Sequence, residues 1–181
     1  MKSNRKTTVF DVTLVALMVA VIEVFKFAMM GIPNIELTSF WLILFSKNFG
    51  KRVYFVVPVF TLIEGCIYGF GIWWVSYLYI WFILWGIVML IPRRPLPETS
   101  RSYALHSFGW ALLSGVYGFS FGALTAIPWL ITGGPKTALA YWLSGIVFDV
   151  PHAIGNFVAA LVLALPLMAV LTRLRSKLHT N

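Results

Sequence analysis

Residues 8–30 are apolar apart from two threonines and three charged side chains, and the run is long enough to cross a bilayer. About 20 apolar residues span roughly 30 Å of hydrocarbon. Within the run, Ala16 and Ala20 lie four apart and stack on one helix face. Two small side chains there leave a shallow groove into which a second helix can settle closely. Glu23 follows one turn on along that face, an acid where a lipid-facing helix should carry none. The segment reads as a docking surface, with the rest of the chain as the body it carries.

Composition extends this reading to the whole molecule. The 181 residues are 60% hydrophobic and 11% charged, with mean hydropathy +0.86. Soluble domains carry about 25% charged residues. The apolar excess cannot be hidden in a chain of this length, so an all-α integral membrane protein is expected, built as one bundle. The apolar runs are continuous rather than alternating, which argues against a barrel. The single Cys66 rules out an internal disulfide framework and reads as a small core residue. The first apolar run is too long for a cleavable signal, and no small-residue cleavage site follows it.

Breaks at Gly, Pro and basic residues divide the chain into six expected transmembrane helices over about 8–30, 36–49, 53–69, 72–91, 104–131 and 148–172. The region 138–172 is too long for one straight span, and Gly145 or Pro151 is the expected point of division. Six spans put twelve of the fourteen Lys and Arg residues on one side, with Lys26 and Lys136 on the other. This is the positive-inside pattern, and it places both termini in the cytoplasm. The net charge of +8 therefore sets orientation, and no nucleic-acid partner is needed to explain it. The connections near 31–35, 69–73 and 132–147 then face outward. They are rich in Gly, Pro and aromatic residues, and such loops can fold over a pocket.

Four acids, Glu23, Glu36, Glu64 and Asp149, lie in or beside apolar runs and should face the bundle interior. Glu23 either pairs with Lys26 one turn away or meets a partner subunit; Lys26 could instead snorkel outward. Glu64, four residues before Tyr68, is either a hydrogen-bonding hub or the floor of a pocket. Trp74, Tyr77, Trp81 and Trp85 follow helical spacing along the fourth span, and Trp73, Tyr79, Trp129, Tyr141 and Trp142 gather near the outer ends. They form either an interfacial belt with core packing or an aromatic wall for a flat organic ligand. Asp149, His152 and Asn156 share one helix face, with Pro151 in the first turn and Asp149 as cap. That trio is either a buried polar network or a set of ligand hydrogen bonds at the outer mouth.

Other chemistries find little footing. There is no Walker phosphate loop and no cluster of metal-ligand spacing. Ser144 ahead of His152 hints at an intramembrane hydrolase, without a stronger motif behind it. An intramembrane enzyme using Asp149, His152 and either Glu64 or Ser144 is the competing reading of another class. A solitary permease or structural membrane subunit is a third.

Several features together resemble the substrate-binding S component of an energy-coupling factor (ECF) vitamin transporter. They are Ala16-x-x-x-Ala20, Gly-Ile-Pro33-Asn34-Ile-Glu36-Leu, the run Glu64-Gly-x-Ile-Tyr-Gly-Phe-Gly-x-Trp-Trp, and Phe148-Asp149-x-Pro-His152-x-x-Gly-Asn156-Phe. The resemblance covers nearly the whole chain. It implies a multi-pass protein of the bacterial cell membrane that binds a vitamin or precursor near the outer face. It implies docking through the first helix onto a membrane scaffold subunit, served by two cytosolic ATPases, so that ATP is used by the partners and this chain needs no cofactor. Ala16 and Ala20 match the docking motif, with Glu23 beside them. By position, the expected substrate contacts are Asn34, Glu36, Glu64, Tyr68, Trp73, Trp74, Tyr77, Trp81, Trp129, Tyr141, Trp142, Asp149, His152 and Asn156. The leading expected substrate is cobalamin or a related corrinoid, with other B vitamins or a queuosine precursor as alternatives.

Overall fold

The computed structural model describes residues 8–32, 35–93 and 95–179, which are helical with no strand among them. The elements are α1 (Val9–Met29), α2 (Thr38–Phe49), a 3-10 turn (Gly50–Arg52), α3 (Val53–Tyr68), α4 (Ile72–Leu90), α5 (Ser100–Phe119), α6 (Phe121–Thr125) and α7 (Ile127–His179). Three of these helices, α1, α4 and α7 over Ile127–Leu174, are long and apolar enough to cross a membrane.

Local chemistry explains where the helices start and stop. Thr8 and Asp11 form a reciprocal capping box at the head of α1, each side chain accepting the other's backbone N–H. Thr99 caps α5 by accepting from Ser102 N at 3.2 Å. Gly69, with φ +89°, stops α3 in a conformation that costs glycine little.

One helix is enclosed by the others. Positions 37–46, which include most of α2, are buried at every residue. At 1.5 Å per residue, α2 and the 16-residue α3 measure about 18 and 24 Å, short of the hydrocarbon thickness. A helix packed on all sides has no lipid-facing stripe to present, and α2 buries Ser39, Ser46 and Asn48 along with its large apolar side chains. The surrounding helices bury one side and expose the other. Large apolar side chains such as Leu17, Val24, Val116 and Val147 stand outward.

α5 and α7 make the most extensive helix–helix contact. They run antiparallel and close together because the α5 face is small. A Cβ on Gly118 would lie 3.2 Å from Ala153 Cα, and one on Gly115 would lie 3.0 Å from Phe157 Cβ.

The last third of the chain departs from the expected boundaries. The run 104–131 is not one helix: α5 ends at Phe119, α6 follows, and α7 starts at Ile127. Pro128 has no N–H to give Leu124 O, and the Tyr79 hydroxyl donates there instead at 2.6 Å. Gly145 and Pro151 do not divide the region beyond. The break lies at Gly134, φ +77°, and the helix runs unbroken through Gly145, Pro151 and Pro166. Gly134 takes the positive φ cheaply, and Pro135 then opens the next helical stretch where no donor is required. The short stretch before Gly134 folds back against the one after it, with Trp129 stacked on Tyr141 at 5.3 Å.

Polar contacts gather several helix ends at one end of the molecule. Arg52 Nε donates to Asp11 Oδ1 at 2.6 Å, Lys47 Nζ to Pro92 O at 2.7 Å and Trp85 Nε1 to Gly50 O at 3.1 Å. Thr172 reaches Asn48 at the same end. Lys47, Arg52 and Arg93, which stands against Gly50, therefore share that end.

Candidate functional site

At the opposite end, two clusters of polar side chains meet. The first is built on α1 and α3. Lys26 forms an ion pair with Glu64, and its Nζ lies 3.8 Å from Glu36 Oε2. The Lys26 side chain is only 10% exposed and that of Glu64 is fully buried. The ammonium also lies 5.2, 5.9 and 5.7 Å from the ring centroids of Tyr68, Phe60 and Tyr77. Lys26 thus points into the bundle rather than toward a membrane surface. Its partners are Glu64 and Glu36, and Glu23 is buried alongside. A lysine stem is long enough to reach α3, whereas pairing with Glu23 would leave Glu64 with no cation.

The second cluster lines a cavity of about 390 Å³. Glu36, ahead of α2, forms one edge. Trp73 and Tyr77 come from the start of α4, and Phe121, Gly122 and Thr125 from α6. α7 closes the far wall with Tyr141, Ser144, Gly145, Phe148, Asp149 and His152. Trp81 is fully buried beneath, 5.3 Å from Tyr77 and 5.6 Å from Phe121, so it supports the wall without lining it.

Asp149 fixes the junction of α6 and α7. Its Oδ1 accepts from Gly122 N at 3.0 Å, while Oδ2 is buried without a hydrogen-bond partner. A Cβ on residue 122 would sit 2.1 Å from that Oδ2, so only glycine allows the approach. His152 packs on Phe121 at 5.4 Å. Asn156 is committed mainly to backbone, with its Nδ2 also 3.4 Å from His152 Nε2. Its Oδ1 accepts from Phe40 N at 3.2 Å, and its Nδ2 donates to Glu36 O at 2.9 Å and His152 O at 3.0 Å. It holds the entry to α2 against α7 and thereby sets where Glu36 stands.

Six residues expected at a substrate site, Glu36, Trp73, Tyr77, Tyr141, Asp149 and His152, come together on the cavity wall. Others stand elsewhere. Glu64 and Tyr68 belong to the Lys26 cluster. Trp74 donates to Thr61 O at 2.7 Å and packs on Phe70. Trp129 stacks behind Tyr141, and Trp142 lines a shallow groove with Ala126 and Leu130. Asn34 lies outside the described residues. Ala16 and Ala20 are exposed on the outer face of α1, with Glu23 at the margin of its buried face.

Phe121, Gly122 and Thr125 also line the cavity, although no sequence signal singles them out. Their apolar run looks like uninterrupted helix, and only the approach of Asp149 singles out Gly122. The Ser144 hydroxyl donates to Tyr141 O at 2.8 Å, one turn back in its own helix, which turns its proton away from any base. No group of three or more His, Cys, Asp or Glu suited to holding a metal occurs among the described residues.

A second cavity, of about 520 Å³, lies at the other end beneath Pro92, Pro95, Leu96 and Pro97, against Lys47, His106, Trp110 and Met168. No protein-family model, curated protein sequence or solved structure matches the chain. Fold and site thus define a helical protein with membrane-length apolar helices and a small-molecule-sized cavity at one end.

Proposed function

We propose that this chain is the substrate-binding S component of an ECF-type importer, a six-span protein of the bacterial cell membrane with both termini in the cytoplasm. It captures a vitamin or vitamin precursor at the outer face. It then delivers that substrate through a membrane scaffold subunit driven by two cytosolic ATPases. The observation that carries the reading is the separation of three features. The cavity lies at the end away from Lys47, Arg52 and Arg93, and Ala16 and Ala20 lie uncovered on the outer side of α1. A protein that must hold a solute at one end and offer a small-residue helix face to a membrane partner needs that arrangement.

The cavity also bears on the substrate. Its 390 Å³ falls near the lower end of the roughly 300–1,000 Å³ typical of small-molecule sites. That volume favours a smaller B vitamin or a queuosine precursor over a corrinoid, whose macrocycle and side chains would overfill it. The test is to replace Ala16 or Ala20 by Trp. Each variant should lose ATP-dependent uptake and scaffold assembly, while native mass spectrometry of the purified chain still finds the same co-purifying small molecule. Normal uptake and assembly by both variants would rule out docking through this face.

A further inference from the structure

We propose that the cavity selects a small molecule carrying a positively charged nitrogen on or beside a planar ring; this rests on reading the cavity as a substrate site. Its lining includes two carboxylates, Glu36 and Asp149, and no Lys or Arg. Asp149 is the more telling of the two. It is only 5% exposed, its Oδ1 is held by one backbone N–H, and its Oδ2 has no hydrogen-bond partner. A buried carboxylate is normally matched by a cation or by several donors, because leaving it unmatched costs several kcal/mol. Among the described residues no lysine or arginine reaches this wall, and His152 is its one basic side chain.

The Lys26 ammonium is already engaged. It pairs with Glu64 and lies 3.8 Å from Glu36, so one cation is shared among the carboxylates gathered at this end. An anionic ligand would add to that imbalance, whereas a cationic ligand would relieve it. The rest of the wall supplies aromatic faces, Trp73, Tyr77, Phe121, Tyr141 and Phe148. Such faces attract a delocalised cation through their quadrupoles and stack against a planar ring. Thr125 and Ser144 add hydroxyls able to orient it.

The test uses the full-length chain in detergent micelles and three probes of nearly the same shape, benzamidinium, benzamide and benzoate, compared by ligand-observed NMR titration. Benzamidinium should bind at least ~10-fold more tightly than benzamide, since one charge-assisted contact in a desolvated wall exceeds the 1.4 kcal/mol that a tenfold ratio represents, and benzoate should bind most weakly. Asp149→Asn keeps an acceptor for the Gly122 N–H but removes the charge. Glu36→Gln likewise removes a charge, at a partly exposed position. Each should cut the benzamidinium-to-benzamide ratio to below ~3-fold. Equal binding of the three probes, a preference for benzoate, no benzamidinium binding up to about 10 mM, or a ratio unchanged in both variants overturns the proposal. These readings are made on the isolated chain, so they stand or fall separately from the docking test on Ala16 and Ala20.

Discussion

Glu64 and Asp149 are both buried carboxylates at the same end of the bundle, yet their surroundings differ. Glu64, on α3, is closed off and joined to Lys26 of α1. Asp149, on α7, meets one backbone N–H and faces a cavity. The first arrangement fastens one helix to another and spends its charge doing so. The second leaves one carboxyl oxygen unpaired in the wall of a cavity. Partnering therefore separates the two roles better than burial does, because both groups are almost completely removed from solvent.

The largest effect should come from breaking the satisfied pair. Lys26→Met keeps the stem and removes the ammonium, leaving Glu64 buried beside Glu23 and Glu36 with no cation. Loss of one partner from a buried pair costs about 3–5 kcal/mol. Thermal unfolding in detergent should show it as a strongly lowered midpoint, and adding Glu64→Gln to the same chain should recover most of the loss. If Lys26→Met unfolds like the parent, the pair does not fasten α1 to α3.

A smaller effect is expected where the α7 side is fastened by packing instead of charge. A Cβ at Gly118 meets Ala153 Cα at 3.2 Å and His152 O at 3.3 Å, both backbone atoms that cannot swing aside. Gly118→Ala should destabilise by about 1–3 kcal/mol through overpacking, read as a lower unfolding midpoint. An unchanged or raised midpoint would mean that the α5–α7 contact is looser than these distances require.

The same contrast explains what the sequence could disclose. The helical class is legible because apolar runs such as 53–69 and 72–91 are bounded by glycines or prolines with clear backbone roles, as at Gly69. Acids in apolar runs are visibly out of place, so Glu64 and Asp149 both stand out as interior groups. Which of them is partnered does not follow from spacing. Lys26 has Glu23 three residues away but pairs with Glu64, 38 residues along the chain. α2 was equally hard to read, since its short apolar run does not reveal that neighbours enclose it on every side. The breaks at residues 120, 126 and 134 fall within or beside apolar sequence, where composition says nothing of direction. Pro151 is a conspicuous breaker that does not break, because a helix supported by packing can lose one backbone bond and continue.

The smallest effect on stability should have the clearest effect on binding. Gly122→Ala places its Cβ 2.1 Å from Asp149 Oδ2, a contact that cannot persist. The obstructing atoms are the carboxyl group of a side chain bordering a cavity, so a turn about the Cα–Cβ bond of Asp149 can carry them away without moving either helix. The expected loss of stability is under about 1 kcal/mol, much of it the weakened bond to the Gly122 N–H. Rotation displaces the one cavity carboxylate that lacks a matching charge, so the benzamidinium-to-benzamide ratio should fall as it does in Asp149→Asn. Gly118→Ala and Gly122→Ala then make a matched pair on one stretch of chain, the first lowering the unfolding midpoint and the second lowering cation preference. If Gly122→Ala instead unfolds as readily as Gly118→Ala while its cation preference is intact, Asp149 holds α6 to α7 as Lys26 holds α1 to α3. The difference between the two carboxylates would then be one of strength alone.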